Sequence, residues 1–257
     1  MNKFKSTAVL GVPLANVDYD ELIEHCQEVG KDAPFAVDFA NTHILTLRES
    51  DPVFCELSNS MDLFAPDGMP LVWAMNDRGA ELRDRVYGPT FLRRCVAATP
   101  APASHYFLGG SEECGRRLIE NLRKRAPHLE VAGSYHGRCD DDGRLQGGDD
   151  ARVIREINEA GADYIWVGLG APKQYAWIHR NKKKLDRGVI LAVGYAFDVN
   201  AGTKPDAPRW MQRAGLTWLF RLLSEPRRLA GRYFKHNSQF LLFLLREMLD
   251  LEKRQPW

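Results

Sequence analysis

The residues best suited to chemistry sit where apolar runs give way to glycine, proline and polar side chains. Phe64-Ala65-Pro66-Asp67-Gly68-Met69 sets a carboxylate between a proline and a glycine. Asp67 could take the proton from an attacking hydroxyl, or it could cap the helix that follows, a frequent use of aspartate. Asn41, followed by Thr42 and His43, ends the run PFAVDFA, and Arg85 precedes the turn Val86-Tyr87-Gly88. Either can hold a hydroxyl or a phosphate, whereas a lone histidine such as His43 is more often a structural hydrogen-bonder than a ligand or base.

Two further turns are glycine-rich. Gly109-Gly110-Ser111-Glu112 would let backbone approach a ligand and offer helix amides to a phosphate, or it is a plain strand-to-helix turn. Leu169-Gly170-Ala171-Pro172-Lys173-Gln174 lacks the full GxGxxG and carries a proline in the turn, which argues against a nicotinamide dinucleotide. No cofactor is expected. Lys173 and Gln174 would begin a helix with polar groups directed at a crevice, unless Lys173 is simply solvated. Asp140-Asp141-Asp142 satisfies the DxD pattern by which many transferases hold a divalent metal. Its place beside Gly143 in the most polar loop favours a solvated turn, so no metal site is expected there.

These turns need a scaffold, and the apolar runs supply one. HYFLG, LEVAGSY, DYIWVG and VILAVG alternate with the amphipathic stretches SEECGRRLIENLRKRA, DDARVIREINEA and PKQYAWIHRNKKKL. That order predicts a Rossmann-like α/β core with a parallel sheet and right-handed crossovers. The first hundred residues fit the same core: a strand near AVLGVPL, a helix DYDELIEHCQEVG, the strand PFAVDFA, a helix after Asn41, a strand DLFAPDG, and helices from MPLVWAM and PTFLRRCVAAT. Ligands of such sheets bind beyond the carboxyl ends of the strands, where all of the turns above fall.

After Asn200 the strands stop, dividing the chain into a core (1–202) and a helical C-terminal appendage (203–257). The expected helices are APRWMQRAGLTWLFRLL, RRLAGRYF and FLLFLLREMLDLEK. Arg221, Arg228 and Arg232 would share a face if the helix ran through Pro226 undeflected, and such a cluster can chelate a diphosphate or anionic head groups. With Trp210, Trp218, Tyr233, Phe234 and Phe240 it suits a helix lying in a membrane interface. Packing against the core with the arginines solvated is the alternative.

Composition narrows the setting. Thirty-five Lys and Arg against 34 Asp and Glu give no sign of a nucleic-acid partner, although Lys204 to Trp257 holds eleven basic residues and five acids. The five widely spaced cysteines form no CxxC pair and read as reduced thiols of a cytoplasmic protein. No apolar run approaches the ~20 residues of a membrane span, and no signal peptide is expected.

Taken in order, these segments resemble the WecG/TagA/CpsF glycosyltransferases (glycosyltransferase family 26). The resemblance lies in Asn41, Ala65-Pro66-Asp67-Gly68-Met69, Arg85-Val86-Tyr87-Gly88, Phe107-Leu108-Gly109-Gly110, GLGAPKQ from Gly168, Gly194-Tyr195-Ala196-Phe197-Asp198, APRWMQR from Ala207 and EPRRL from Glu225. It covers about Val12 to Phe240. It implies an inverting, metal-independent transferase that moves a sugar from a UDP-sugar, UDP-N-acetylmannosamine or a relative, to an undecaprenyl-diphosphate-linked acceptor. It makes Asp67 the general base, places Asn41, Arg85 and Gln174 around the sugar and diphosphate, and turns the appendage arginines into a lipid-diphosphate clamp at the inner leaflet. Homo-oligomers are also implied. Where many members carry Thr two residues before the asparagine, this chain has Phe39, which leaves a hexose or uronic-acid donor open. The rival expectations are a DxD metal-dependent transferase and a non-catalytic membrane scaffold in polysaccharide assembly.

Overall fold

The computed structural model describes residues 3–254, excluding the side chains of Arg232, Asp250 and residues 251–254. Its centre is an eight-stranded sheet in the order β1-β2-β4-β3-β8-β7-β5-β6, parallel except at one edge. At that edge β1 (Ser6–Val9) and β2 (Val12–Ala15) pair antiparallel. The single strand expected near AVLGVPL is thus a hairpin. Leu10 and Gly11 both take positive φ (49° and 69°), the backbone a two-residue hairpin turn requires.

The rest alternates as the pattern predicts. Helix α1 (Tyr19–Glu28) starts in a capping box of Asp18 and Glu21 and leads to β3 (Phe35–Ala40). Two helices follow in place of the one expected: α2 (Thr42–Ser50), capped by Asn41, and α3 (Pro52–Ser58), where Asp51 caps and Pro52 starts a new helix. Then come β4 (Leu63–Pro66), α4 (Met69–Asn76) and α5 (Gly88–Ala98). The second half runs β5 (Ser104–Gly109), α6 (Glu112–Arg125), β6 (Glu130–Tyr135), α7 (Asp150–Glu159), β7 (Tyr164–Gly168), α8 (Lys173–Asn181), β8 (Val189–Ala192) and α9 (Ala196–Ala201).

Alternation along β3 divides the apolar core into two layers. Ala36 and Ala40 belong to one layer, Val37 and Phe39 to the other. β3 is buried on both faces, as a central parallel strand must be.

The appendage differs from its expected form. APRWMQRAGLTWLFRLL is split at Gly215 (φ 70°) into α10 (Arg209–Arg213) and α11 (Thr217–Ser224). Beyond Glu225 one helix, α12 (Pro226–Arg254), replaces the two expected. Glu225 leaves helical geometry (φ −137°, ψ 60°) because the residue before a proline is pushed out of the α region. No helix runs through Pro226, so Arg221 and Arg228 lie on separate helices.

The inner face of α12 is anchored to the core. Leu229 and Phe240 are buried, and Phe240 joins the layer containing Ile44 and Ala40. Thr42 Oγ1 donates to Asn237 Oδ1 (3.1 Å), Thr46 Oγ1 and His236 Nδ1 are hydrogen bonded (2.8 Å), and Arg78 pairs with Glu247 (2.7 Å). The outer face stays apolar and open, with Phe234 81% and Leu241 60% exposed. No helix among the described residues is long and apolar enough to cross a membrane.

Candidate active site

A cavity of about 580 Å³ opens at the carboxyl ends of β3, β4, β7 and β8, the end where parallel sheets bind ligands, and α11 and α12 form its far wall. Asp67 sits in it, one residue past β4. Its backbone N–H donates to Ala40 O (2.7 Å) and Val86 N–H donates to Pro66 O (2.7 Å), which pins the turn. Gly68 is the N-cap of α4 and no side chain caps that helix, so the carboxylate of Asp67 is not spent on capping. Its Oδ1 is buried without a hydrogen-bond partner among the described residues. Burial pushes its pKa up to about 8, opposed by the positive charges of Arg85 and then Arg221. A carboxylate so placed is a strong proton acceptor once ionised.

Arg85 is buried beside it. Its Nη1 donates to Asp67 O (3.3 Å), its Nη2 to Thr217 Oγ1 (2.7 Å), and its guanidinium lies 4.3 Å from the centre of the Tyr87 ring. From the appendage, Arg221 stacks 3.8 Å over Tyr195 and Arg228 forms a two-pronged pair with Glu225, which also holds Lys204. Burial works against ionisation of Glu225, but Arg228 and Lys204 more than offset it and lower its pKa. Arg221 and Arg228 both line the cavity. The side chain of Arg232 lies outside the described residues.

The remaining candidates divide. Asn41, His43, Lys173 and Gln174 line the same cavity. Asn41 Oδ1 caps α2 through His43 N and Ile44 N, leaving the amide nitrogen as its donor. His43 packs edge-on against His236 of α12, centroids 4.4 Å apart. Gln174 is spent on position: Oε1 accepts from Gly170 N (3.1 Å) and Nε2 donates to Ala192 O (3.3 Å). Lys173 pairs at the rim with Asp141 (3.1 Å). Gly109 and Gly110 are not among the lining residues. A Cβ on Gly109 would lie 2.5 Å from the backbone of Gly168, so its glycine serves the close approach of β5 to β7.

The acidic loop is an ordered turn. Asp140 Oδ1 accepts from Arg144 N (2.8 Å), Cys139 and Leu145 bridge, and Arg180 holds Asp142 O. Among the described residues no three His, Cys, Asp or Glu side chains are grouped as metal ligands would be.

Sequence reasoning missed a second buried carboxylate. Asp38 is 1% exposed, lines the cavity, and accepts from Tyr175 OH (2.6 Å) while Oδ2 has no partner among the described residues. Burial raises its pKa to about 7 in spite of that bond. The signal was present: an aspartate inside PFAVDFA, where an apolar residue would complete a buried strand. The pairings of Thr217 with Arg85 and of Tyr195 with Arg221 left no such signal, because nothing local ties these residues together.

The sequence profile described as "Glycosyl transferase WecG/TagA/CpsF family" matches residues 7–254. A Staphylococcus aureus protein named N-acetylglucosaminyldiphosphoundecaprenol N-acetyl-beta-D-mannosaminyltransferase is 28% identical over 193 residues, which cover 74% of this chain and 72% of that protein. A Bacillus subtilis protein of the same name is 23% identical over 225 residues, 86% of this chain and 85% of the relative.

Proposed function

The chain belongs to the WecG/TagA/CpsF family of glycosyl transferases, and from that premise we propose that it is an inverting, metal-independent transferase of a UDP-linked sugar. The acceptor is a sugar carried on undecaprenyl diphosphate, as the names of the relatives indicate for those proteins. The observation that carries the assignment is the buried Asp67 oxygen, which has no hydrogen-bond partner among the described residues, under the arginines of the cavity.

The chemistry follows from that placement. Asp67 takes the proton of the acceptor hydroxyl as its oxygen bonds to the anomeric carbon and the carbon–oxygen bond to UDP breaks. The electron pair leaves on the diphosphate, where Arg85, Arg221 and Arg228 supply positive charge in a partly desolvated cavity. Asn41, His43, Lys173 and Gln174 border the sugar and diphosphate, with Gly109 and Gly110 further along the same sheet edge. The donor is N-acetylmannosamine-like or a related hexose or uronic acid. Phe39 meets the cavity with a ring packed 4.9 Å from Phe91, so this position offers the sugar an apolar contact.

The open apolar face of α11 and α12, with Leu223, Phe234 and Leu241, rests in the inner-leaflet interface, and the arginines of the junction meet the lipid diphosphate. Self-association of the core belongs to the same proposal. The test is a screen of UDP-sugars by UDP release with a short-chain lipid-diphosphate acceptor. Asp67→Asn should lose about a thousandfold in rate with folding unchanged, and EDTA should leave the wild-type rate unaltered. Full activity of Asp67→Asn refutes the base.

A further inference from the structure

Thr217, the first residue of α11, is where the appendage meets the buried cation of the core. Its hydroxyl accepts a 2.7 Å hydrogen bond from Arg85 Nη2, and each residue is only 6% exposed. The turn before it is seated firmly on α4. A Cβ on Gly215 would lie 3.1 Å from Met69 Cβ and 3.0 Å from the Trp73 ring, and its φ of 70° favours glycine, so this residue suits the close approach of the turn to α4. The guanidinium is a rigid planar fork, so bonds to two of its nitrogens fix its direction. One of those bonds comes from the core, to Asp67 O, and the other from the appendage.

We propose that Thr217 is a positioning residue: seating α11 delivers its hydroxyl to Arg85, and Arg85 takes its working direction beside Asp67 only in that seated state. The core site and the appendage are then completed together. The proposal rests on Asp67 acting as the base.

Its electrostatic consequence can be measured. The charged or titratable groups around Asp67 are Arg85, Arg221 on α11, Asp38 on β3, and Tyr19, Tyr87 and Tyr175. Of these only the two arginines favour the ionised carboxylate, and Arg85 does so more strongly. Freeing Arg85 leaves burial less opposed, so Asp67 should hold its proton to higher pH.

Thr217→Val keeps the side-chain shape and removes the acceptor, while Thr217→Ser keeps the acceptor. With full-length protein carrying ¹³C-carboxyl aspartate, the resonance absent from Asp67→Asn is followed against pH. It should titrate at higher pH in Thr217→Val than in wild type and unchanged in Thr217→Ser. With the donor and acceptor found by UDP release, Thr217→Val should lose about tenfold in kcat near neutral pH with KM within about twofold, and Thr217→Ser should restore it. Should the valine variant fail to fold, Thr217→Ala carries the same comparison. Wild-type titration and turnover in the folded variant overturn the proposal. That result beside an inactive Asp67→Asn defeats only the coupling, whereas an active Asp67→Asn defeats the base itself.

Discussion

The wall of the cavity built from strand ends and the wall built from α11 and α12 face each other, yet they hold their charged groups by different means. On the core side Asp67 and Asp38 are set by strand register, hydrogen bonds and burial. On the appendage side Arg221 lies on an aromatic ring and Arg228 on Glu225, half exposed, at a break between two helices. Pre-set groups on the core side cost stability because desolvation opposes their charge, while on the far wall Arg228, half exposed on its salt bridge, is freer to adjust and Arg221 is intermediate, its Nε buried without a hydrogen-bond partner among the described residues. Fixed chemistry facing an adjustable clamp suits an acceptor with a reactive sugar at one end and a bulky lipid at the other.

The largest expected effect comes from removing an anchor of the adjustable wall. Phe240 is 3% exposed and joins α12 to the core layer. Phe240→Ala should cost about 3 kcal/mol, and hydrogen exchange should rise through α11 and α12 while the strands stay protected. Equal loss of protection in β3 and β8 would show that the two walls are one cooperative unit.

The fixed wall can be examined through Asp38. Its folded pKa of about 7 lies above the ordinary value of 3.8, so the protonated form favours the fold. That contribution is fully present below about pH 4 and is lost as pH rises through about 7. An uncharged Asp38→Asn should therefore gain stability relative to wild type, on the order of 4 kcal/mol between about pH 4 and pH 9. Thermal melts at the two pH values measure it. A difference independent of pH would mean that Asp38 stays charged in the fold at no cost.

What could be read from the sequence follows the same division. The strands from β3 to β8 and the turn holding Asp67 were legible because buried parallel strands and their exits have strong local patterns. The hairpin at Leu10-Gly11 was missed because AVLGVPL reads as a single apolar run unless two successive positive-φ residues are allowed. The common arginine face required an unbroken helix at Glu225-Pro226, and the backbone cost of a residue before proline prevented it. Gly109 looked like a phosphate turn because a glycine needed for strand-to-strand approach leaves the same mark as one needed for a ligand. The partners of Asp38 and Thr217, Tyr175 and Arg85, lie far along the chain, so the local pattern marks Asp38 as unusual but records neither pairing.

The smallest effect is expected at the rim, where the two kinds of wall give way to solvent. Lys173 belongs to the helix that carries Gln174, but its ammonium reaches outward to Asp141, whose side chain is fully exposed. Water screens such a pair, and freezing two mobile side chains offsets much of its attraction. Asp141→Ala should therefore change Tm by no more than about 1 °C. It should leave UDP-sugar turnover unchanged with or without EDTA, because Asp140 is occupied closing the turn with Arg144 N. A loss of turnover would bring the acidic loop into the site and make Lys173 a group that the loop positions, which would extend the fixed wall to the rim.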